Sequence, residues 1–211
     1  MKIYDISQEL LSAEVYPGDP KPTISKVASI EDGDLYNLSI FSACAHNGTH
    51  VDAPSHFIRG GKSIGEIDLK RLVGEAYVAV VSGDISESEA RAIVERARAH
   101  SAEAAKRILI KGDATVTAEC ATVFVSLGVV LVGVESQSVG TIDAPMQVHK
   151  ILLEKEVALL EGLRLGEVKE GAYFLFSAPL NLGISDGAPC RAVLVDFANQ
   201  ADASPDKSSR S

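Results

Sequence analysis

Eleven consecutive residues of this chain read His46-Asn47-Gly48-Thr49-His50-Val51-Asp52-Ala53-Pro54-Ser55-His56. Three of the five histidines and one aspartate lie within this segment. Imidazole nitrogens and carboxylate oxygens together form the ligand set that binds Zn²⁺ or Mn²⁺. A further histidine beside such ligands can move a proton during hydrolysis. The segment therefore indicates metal-assisted hydrolysis and disfavours the alternative of a polar loop whose histidines cap turns.

The spacing of these side chains predicts a bent backbone. A straight strand rises about 3.3 Å per residue, which would place His46 and His50 roughly 13 Å apart. Metal ligands lie about 2 Å from the ion, so a straight strand cannot bring the two rings together. Gly48 permits backbone angles that are closed to other residues, and Pro54 interrupts a strand. We therefore predict a curled loop that leaves a strand.

Composition limits the classes of function. A chain of 211 residues, 46% hydrophobic and 23% charged, is typical of one soluble globular domain. The net charge of −9 disfavours nucleic acid as a partner. The longest apolar run, at residues 129–134, is far shorter than the roughly 20 residues of a membrane span. We predict a cytoplasmic protein with no nucleic-acid or membrane partner.

The three cysteines, Cys44, Cys120 and Cys190, are odd in number and widely separated. This distribution favours a reducing compartment over a disulfide-bonded protein. A cysteine hydrolase that uses Cys44 or Cys190 with a histidine is an alternative, but neither residue lies in a recognisable nucleophile motif. Cys44 fits better as a small apolar side chain at a strand end.

Strands and helices alternate along the chain, which predicts an α/β fold with a mixed sheet. The strand at 36–40 alternates apolar and polar residues, so we expect it to be half-buried and to lead into the histidine segment. We expect one domain over residues 1–198 and a disordered polar tail over 199–211. The other predicted strands span residues 3–6, 76–81, 107–111 and 129–134, and predicted helices span 86–100 and 117–127.

The remaining candidate ligands, His149 and Glu161, are twelve residues apart. Asp143 as N-cap and Pro145 in the first turn mark the start of a helix that carries His149. One continuous helix would separate His149 and Glu161 by about 18 Å. A helix that ends near residues 155–156, with a strand at 157–160, would bring Glu161 back. A structural helix histidine and a solvated glutamate at a strand end remain alternatives.

Residues 46–57, His-Asn-Gly-Thr-His-Val-Asp-Ala-Pro-Ser-His-Phe, resemble the signature of the cyclase-like metal hydrolases. This family includes bacterial kynurenine formamidases and isatin hydrolases. Supporting similarity covers nearly the whole chain, including residues 16–20, 60–64, 133–138 and 179–193. The resemblance implies a single compact swivelling β/β/α domain, in a homodimer or homotetramer.

The resemblance also implies roles for individual residues. His46, His50 and Asp52 would be metal ligands, and His149 and Glu161 would complete a second metal position that Asp52 can bridge. His56 would be the catalytic acid/base. Side chains that could line a substrate pocket are Tyr16, Phe41 and Phe57.

We therefore expect a hydrolase that cleaves an amide, formamide or cyclic amide, similar to kynurenine formamidase. The expected cofactor is Zn²⁺ or Mn²⁺, with one or two ions per subunit, and the expected partner is a small-molecule substrate. A ring-opening hydrolase similar to isatin hydrolases or lactonases is an alternative. A non-catalytic metal- or ligand-binding module on the same fold is another.

Overall fold

The computed structural model describes residues 1–141 and 144–197. Its thirteen described strands are β1 (Lys2–Asp5), β2 (Thr23–Ala28), β3 (Leu38–Ser42), β4 (His50–Asp52), β5 (Val73–Val80), β6 (Gly83–Ile85), β7 (Arg107–Lys111), β8 (Ala114–Val116), β9 (Leu131–Val134), β10 (Ala158–Glu161), β11 (Gly171–Phe176), β12 (Gly187–Pro189) and β13 (Val193–Asp196). Its three described α-helices are α1 (Glu87–His100), α2 (Ala118–Ser126) and α3 (Pro145–Leu153). Short 3-10 turns include Pro54–His56 and Ile64–Glu66.

Nine strands form one mixed sheet in the order β1-β13-β11-β5-β7-β9-β10-β4-β12. The central strands β5, β7, β9 and β10 are parallel, whereas the flanking pairs are antiparallel. Each connection between neighbouring parallel strands contains one of the three helices. The predicted α/β fold with a mixed sheet in one domain is confirmed.

Both faces of the sheet are covered. One face packs against the three helices through buried side chains that include Ile93, Phe124 and Leu152. The other face contributes Leu109, Leu131 and other side chains to a second buried cluster. Two buried faces explain why the central strands read as nearly continuous apolar runs.

The sequence predicted the helix boundaries because it contains their caps. Ser86 Oγ accepts a hydrogen bond from Glu89 N, and Thr117 Oγ1 accepts one from Cys120 N. These bonds satisfy backbone donors in the first turns of α1 and α2. None of the helices described within residues 1–141 and 144–197 has the length and apolar composition of a membrane span.

The prediction that the strand near residues 36–40 is half-buried was wrong. β3 begins at Leu38 and pairs with β2 in a separate two-stranded sheet, and each of its residues is exposed. Alternation predicts burial only when another layer covers one face of the strand, and the nine-stranded sheet does not extend to this ribbon.

Several predictions fall on residues outside the described ranges. Asp143, predicted as the N-cap of α3, is one of them, and Ala144 occupies the N-cap position of the described helix. The predicted disordered tail over residues 199–211 and the domain boundary at residue 198 also lie outside the described ranges, so both stay predictions.

The pairing of β4 with β10 places the two candidate ligand segments side by side. His50 pairs with Glu161, and Asp52 pairs with Leu159. Paired residues on neighbouring strands point to the same face of a sheet. Leu159 belongs to the helix-facing core, so His50, Asp52 and Glu161 point towards the layer that contains α3.

Replacing Phe124 by alanine should lower the free energy of unfolding by about 3–5 kcal/mol, because it leaves a cavity between α2 and the sheet. Phe124 is fully buried in that core. Urea denaturation measures the change, with Phe176→Ala as a matched control on a side chain that is 50% exposed. A loss at Phe124 no larger than at Phe176 would contradict the proposed packing.

Candidate active site

Four local structures bring the candidate ligands together. His50 and Asp52 stand two residues apart on β4, and Glu161 ends the neighbouring strand β10. His149 is carried by α3, which packs on this face of the sheet. His46 lies in the turn at residues 45–49 that precedes β4.

The predicted bend lies before β4. Gly48 has φ +63°, a backbone conformation that glycine adopts without steric cost. The prediction of a curled loop for the whole segment needs correction, because His50 and Asp52 belong to a strand. Residues two apart on a strand already share a face at a separation of about 6.7 Å, so only His46 and His56 need turns to reach the cluster.

The side chains on β4, β10 and α3 form a buried cluster of imidazoles and carboxylates. His50 Nε2 lies 3.3 Å from Asp52 Oδ1 and 3.3 Å from Glu161 Oε2. His149 Nε2 lies 3.3 Å from Glu161 Oε1 and 3.5 Å from Asp52 Oδ2. His46 Nδ1 lies 2.8 Å from Asp52 Oδ1. Asp52 is therefore the residue that all three imidazoles approach.

Backbone carbonyls fix which nitrogen of each buried ring faces the cluster. His50 Nδ1 donates to Gly48 O at 3.0 Å, and His149 Nδ1 donates to Pro145 O at 2.7 Å. A carbonyl only accepts, so the proton of each neutral ring is on Nδ1 and the lone pair of Nε2 points at carboxylate oxygens. Lone pairs and carboxylates repel each other unless protons or a cation lie between them.

Without a metal, protons fill this role. Burial opposes charge on His149, but its interactions with Asp52 and Glu161 outweigh burial and raise its pKa to about 10. The same carboxylates raise the pKa of His50 well above 6.5 against a similar burial effect. Burial would raise the pKa of Asp52, yet the imidazoles of His149 and His46 hold it well below 3.8.

The donor set fits divalent metal. Asp52 Oδ2 is buried and makes no hydrogen bond within the described part of the chain. The candidate ligands form two sets that share Asp52, namely His46, His50 and Asp52 in one and Asp52, His149 and Glu161 in the other. The ligand atoms of each set lie within 4.8 Å of one another, a spacing that ligands about 2 Å from one ion would have. Hydrogen bonds that orient the far side of a ring are typical of metal-binding histidines.

His56 lies beside the cluster, outside the two sets that share Asp52. It forms a third group with His46 and Asp186, whose facing atoms also lie within 4.8 Å of one another. The 3-10 turn Pro54–His56 positions its ring, which stacks on His46 with centroids 4.0 Å apart. His56 Nδ1 lies 3.0 Å from Asp186 Oδ2, and the same oxygen lies 3.0 Å from His46 Nε2. Within the described residues, His56 Nε2 makes no hydrogen bond, which leaves it able to exchange a proton with a ligand.

A cavity of about 280 Å³ opens over the cluster. Tyr16 and Phe57, two of the predicted pocket residues, line it, whereas Phe41 lines a neighbouring cavity of about 230 Å³. The walls of the first cavity include both apolar and polar side chains, as is usual where a small molecule is bound. Among them are Asp19, Cys44, Gln137, Ser138 and Pro145.

Sequence reasoning missed two residues of this site. Asp186 binds both His46 and His56, although it is 140 and 130 residues away from them along the chain. Its segment, residues 179–193, was recognised only as supporting similarity. Gln137 lines the cavity and has a buried Nε2 without a hydrogen-bond partner among the described residues. Gln137 follows the buried strand β9 by three residues and lies in the segment 133–138, which was recognised only as supporting similarity.

The cysteines offer no paired nucleophile. Burial raises the pKa of the Cys190 thiol to about 12, so this thiol stays protonated at neutral pH. Cys44 lines the cavity, but its Sγ contacts the carboxylate of Asp19 at 3.7 Å and not an imidazole. A cysteine hydrolase is therefore disfavoured.

Known proteins are similar to this chain over most of its length. A family model described as putative cyclase matches residues 4–141. The kynurenine formamidase of Salinibacter ruber is 33% identical to this chain, and the alignment covers 93% of this chain and 98% of that protein. The resemblance seen at residues 46–57 therefore extends over almost the whole chain.

Solved structures share the fold. A predicted metal-dependent hydrolase from Bacillus stearothermophilus is 27% identical, with a TM-score of 0.72 over 92% of this chain and 97% of that chain. Isatin hydrolase A from Ralstonia solanacearum superposes with a TM-score of 0.75 over 92% of each chain. At 19% identity, the second likeness concerns the fold alone.

Gly187→Ala should weaken divalent-metal binding by roughly tenfold or more while the protein stays folded. A Cβ at Gly187 would lie 2.6 Å from His46 Cε1 and 3.0 Å from Val51 O, so the ring of His46 has to move. The matched control is Gly166→Ala, where a Cβ meets open space. Calorimetric titration measures the affinity, and equal affinity in both variants would contradict the close approach of β12 to His46.

Metal binding at neutral pH should release between about one and two protons per protein, because His149 and His50 are protonated in the metal-free cluster. The release should shrink as pH rises through about 10, the raised pKa of His149. Protonated His149 also stabilises the metal-free protein. This stabilisation is complete below pH 6.5, the ordinary pKa of histidine, and is lost as the pH rises through about 10. Titration calorimetry in buffers of different ionisation enthalpy counts the protons. No release at pH 7 would show that the rings are neutral without metal.

Proposed function

The chain belongs to the putative cyclase family, as its resemblance predicted, and we propose that it is a metal-dependent hydrolase of an amide, formamide or cyclic amide. One observation carries the proposal: Asp52 and Glu161 are buried with three converging imidazoles below a cavity, and His56 stands beside them. Similarity to a kynurenine formamidase at 33% identity over nearly the full length supports hydrolysis of a C–N bond.

We propose Zn²⁺ or Mn²⁺ as the cofactor, since imidazole and carboxylate ligands suit either ion. The first position would use His46, His50 and Asp52, and the second would use Asp52, His149 and Glu161. The two oxygens of Asp52 face different rings, which supports a bridging role and two ions. A divalent ion held by these residues would lower the pKa of a bound water from about 15.7 towards about 7 and would polarise a substrate carbonyl.

His56 is proposed as the acid/base. Its Nδ1 is held by Asp186, so Nε2 is the nitrogen that faces a ligand in the cavity. A neutral imidazole takes a proton from the attacking water at Nε2 and returns it to the leaving nitrogen, which departs as a neutral amine. The stack of His56 on His46 keeps this nitrogen close to the ligand cluster.

The cavity favours a small substrate with an apolar part. Phe57 packs edge-on against His56 with ring centroids 4.5 Å apart and forms one wall of the cavity. Tyr16 also lines the cavity and provides a second aromatic surface. Phe41 lines the neighbouring cavity, so we propose that it does not contact the substrate directly.

A non-catalytic metal-binding module is the competing function. Structural metal sites are usually closed by four protein ligands, whereas this cluster borders an open cavity and has an additional histidine beside it. These features support catalysis. Ring opening of a cyclic amide or lactone stays within the proposed chemistry, because the same proton transfers would serve it.

We also propose that the protein acts as a homodimer or homotetramer in the cytoplasm. The two-stranded ribbon of β2 and β3 exposes large apolar side chains, including Ile24 and Ile40, which a second subunit would cover. The three free cysteines support a reducing compartment.

His56→Ala should reduce kcat by about 10²- to 10⁴-fold while metal stays bound, and Asp52→Ala should lose both metal and activity. Initial rates with N-formylkynurenine, isatin and simple lactones, under defined Zn²⁺ and Mn²⁺, measure the first effect, and elemental analysis measures bound metal. His100→Ala is the matched control, because His100 is an exposed residue at the end of α1. Full turnover by His56→Ala, or wild-type activity that survives removal of metal by EDTA, would contradict the proposal.

A further inference from the structure

Asp186 is held in place by its neighbours on both sides of the site. It precedes β12, and its carbonyl oxygen accepts a hydrogen bond from Ala53 N at 2.9 Å, immediately after the ligand Asp52. The carbonyl of the preceding residue, Ser185, accepts from Ile64 N at 2.8 Å. These backbone bonds fix the position from which the Asp186 side chain reaches the histidines.

One carboxylate oxygen of Asp186 serves two rings. Its Oδ2 lies 3.0 Å from His46 Nε2 and 3.0 Å from His56 Nδ1, and the two rings stack with an interplanar angle of 29°. His50 and His149 are oriented by backbone carbonyls. His46 is thus the candidate ligand whose outer nitrogen contacts a side chain, and it shares that side chain with His56.

An ionised carboxylate accepts hydrogen bonds and donates none. The two nitrogens that face Asp186 must therefore carry protons. His46 faces a second carboxylate, because its Nδ1 lies 2.8 Å from Asp52 Oδ1. If a metal were held on the Asp52 side, Asp186 would keep the proton on Nε2 and leave the lone pair of Nδ1 for the ion. His56 carries its proton on Nδ1 and leaves the lone pair of Nε2 for the cavity.

We propose that Asp186 is a positioning residue that sets the tautomer and orientation of His46 and His56 together, and so couples the metal ligand to the acid/base. This inference rests on the proposed function for the roles of the two histidines. The hydrogen-bond geometry itself does not depend on that function.

Asp186→Ala tests the coupling by removing the shared acceptor. Both rings contact the same oxygen, Oδ2, so alanine leaves neither His46 Nε2 nor His56 Nδ1 with an acceptor at this position. Each ring is then free to rotate or change tautomer. The matched control is Asp5→Ala, which makes the same change on an exposed carboxylate paired with Arg191.

The main measurement is ¹⁵N NMR of the histidine rings, because ring nitrogen shifts distinguish the two neutral tautomers. Spectra of the metal-free protein at alkaline pH should show a proton on Nδ1 of His56. Spectra of the zinc-loaded protein should show a proton on Nε2 of His46. Asp186→Ala should change the assignment for at least one of the two rings, whereas Asp5→Ala should leave both unchanged.

Kinetics and metal affinity provide the functional readout. Asp186→Ala should lower kcat by about 10- to 100-fold with little change in KM, and should weaken zinc binding by a similar factor. Wild-type tautomers and wild-type kcat in Asp186→Ala would overturn the proposal while leaving the hydrolase function intact. If the wild-type protein hydrolyses none of the substrates, the proposed function fails, and the metal-free spectra still decide the role of Asp186.

Discussion

Burial of two carboxylates is the constraint on which this structure depends. Asp52 and Glu161 are almost fully shielded from solvent, and a buried carboxylate is costly without a compensating charge. Three imidazoles converge on the pair, and two of them have their outer nitrogens bound to backbone carbonyls. Protons balance the cluster in the metal-free protein, and the same side chains would hold a divalent cation in their place. The same arrangement explains the raised pKa values of His50 and His149 and the fit to metal.

The fold brings the residues of this cluster together where strands, a helix and a turn pass close to one another. Antiparallel pairing sets His50 opposite Glu161, and α3 adds His149 above the same face of the sheet. The turn before β4 must then pass very near β10. A Cβ at Gly162 would lie 2.5 Å from Gly48 O, so this position requires glycine. Gly48 itself has φ +63°, a conformation that favours glycine in the turn. Glycines that take no part in the chemistry are therefore needed for the candidate ligands to converge.

The sequence was sufficient to predict the parts of the site that are local. Residues 46–56 predicted a bend and a ligand cluster, and the apolar run before Glu161 predicted the returning strand, β10. It was not sufficient where long-range packing decides the outcome. The alternation at β3 looked like a buried face, but no layer of the sheet covers the ribbon. Asp186 belongs to a polar loop far along the chain, and only the pairing of β12 with β4 brings it to the histidines.

Anomalous diffraction from a crystal soaked in zinc tests the central claim most directly. The account predicts strong peaks about 2.0–2.2 Å from the facing atoms of one or both ligand sets, with the rings close to their metal-free positions. The first set is His46, His50 and Asp52, and the second is Asp52, His149 and Glu161. Two peaks that share Asp52 would match both ligand sets. The account would be contradicted if zinc occupied other sites in the crystal but gave no peak among these side chains, with the imidazoles still paired to the carboxylates.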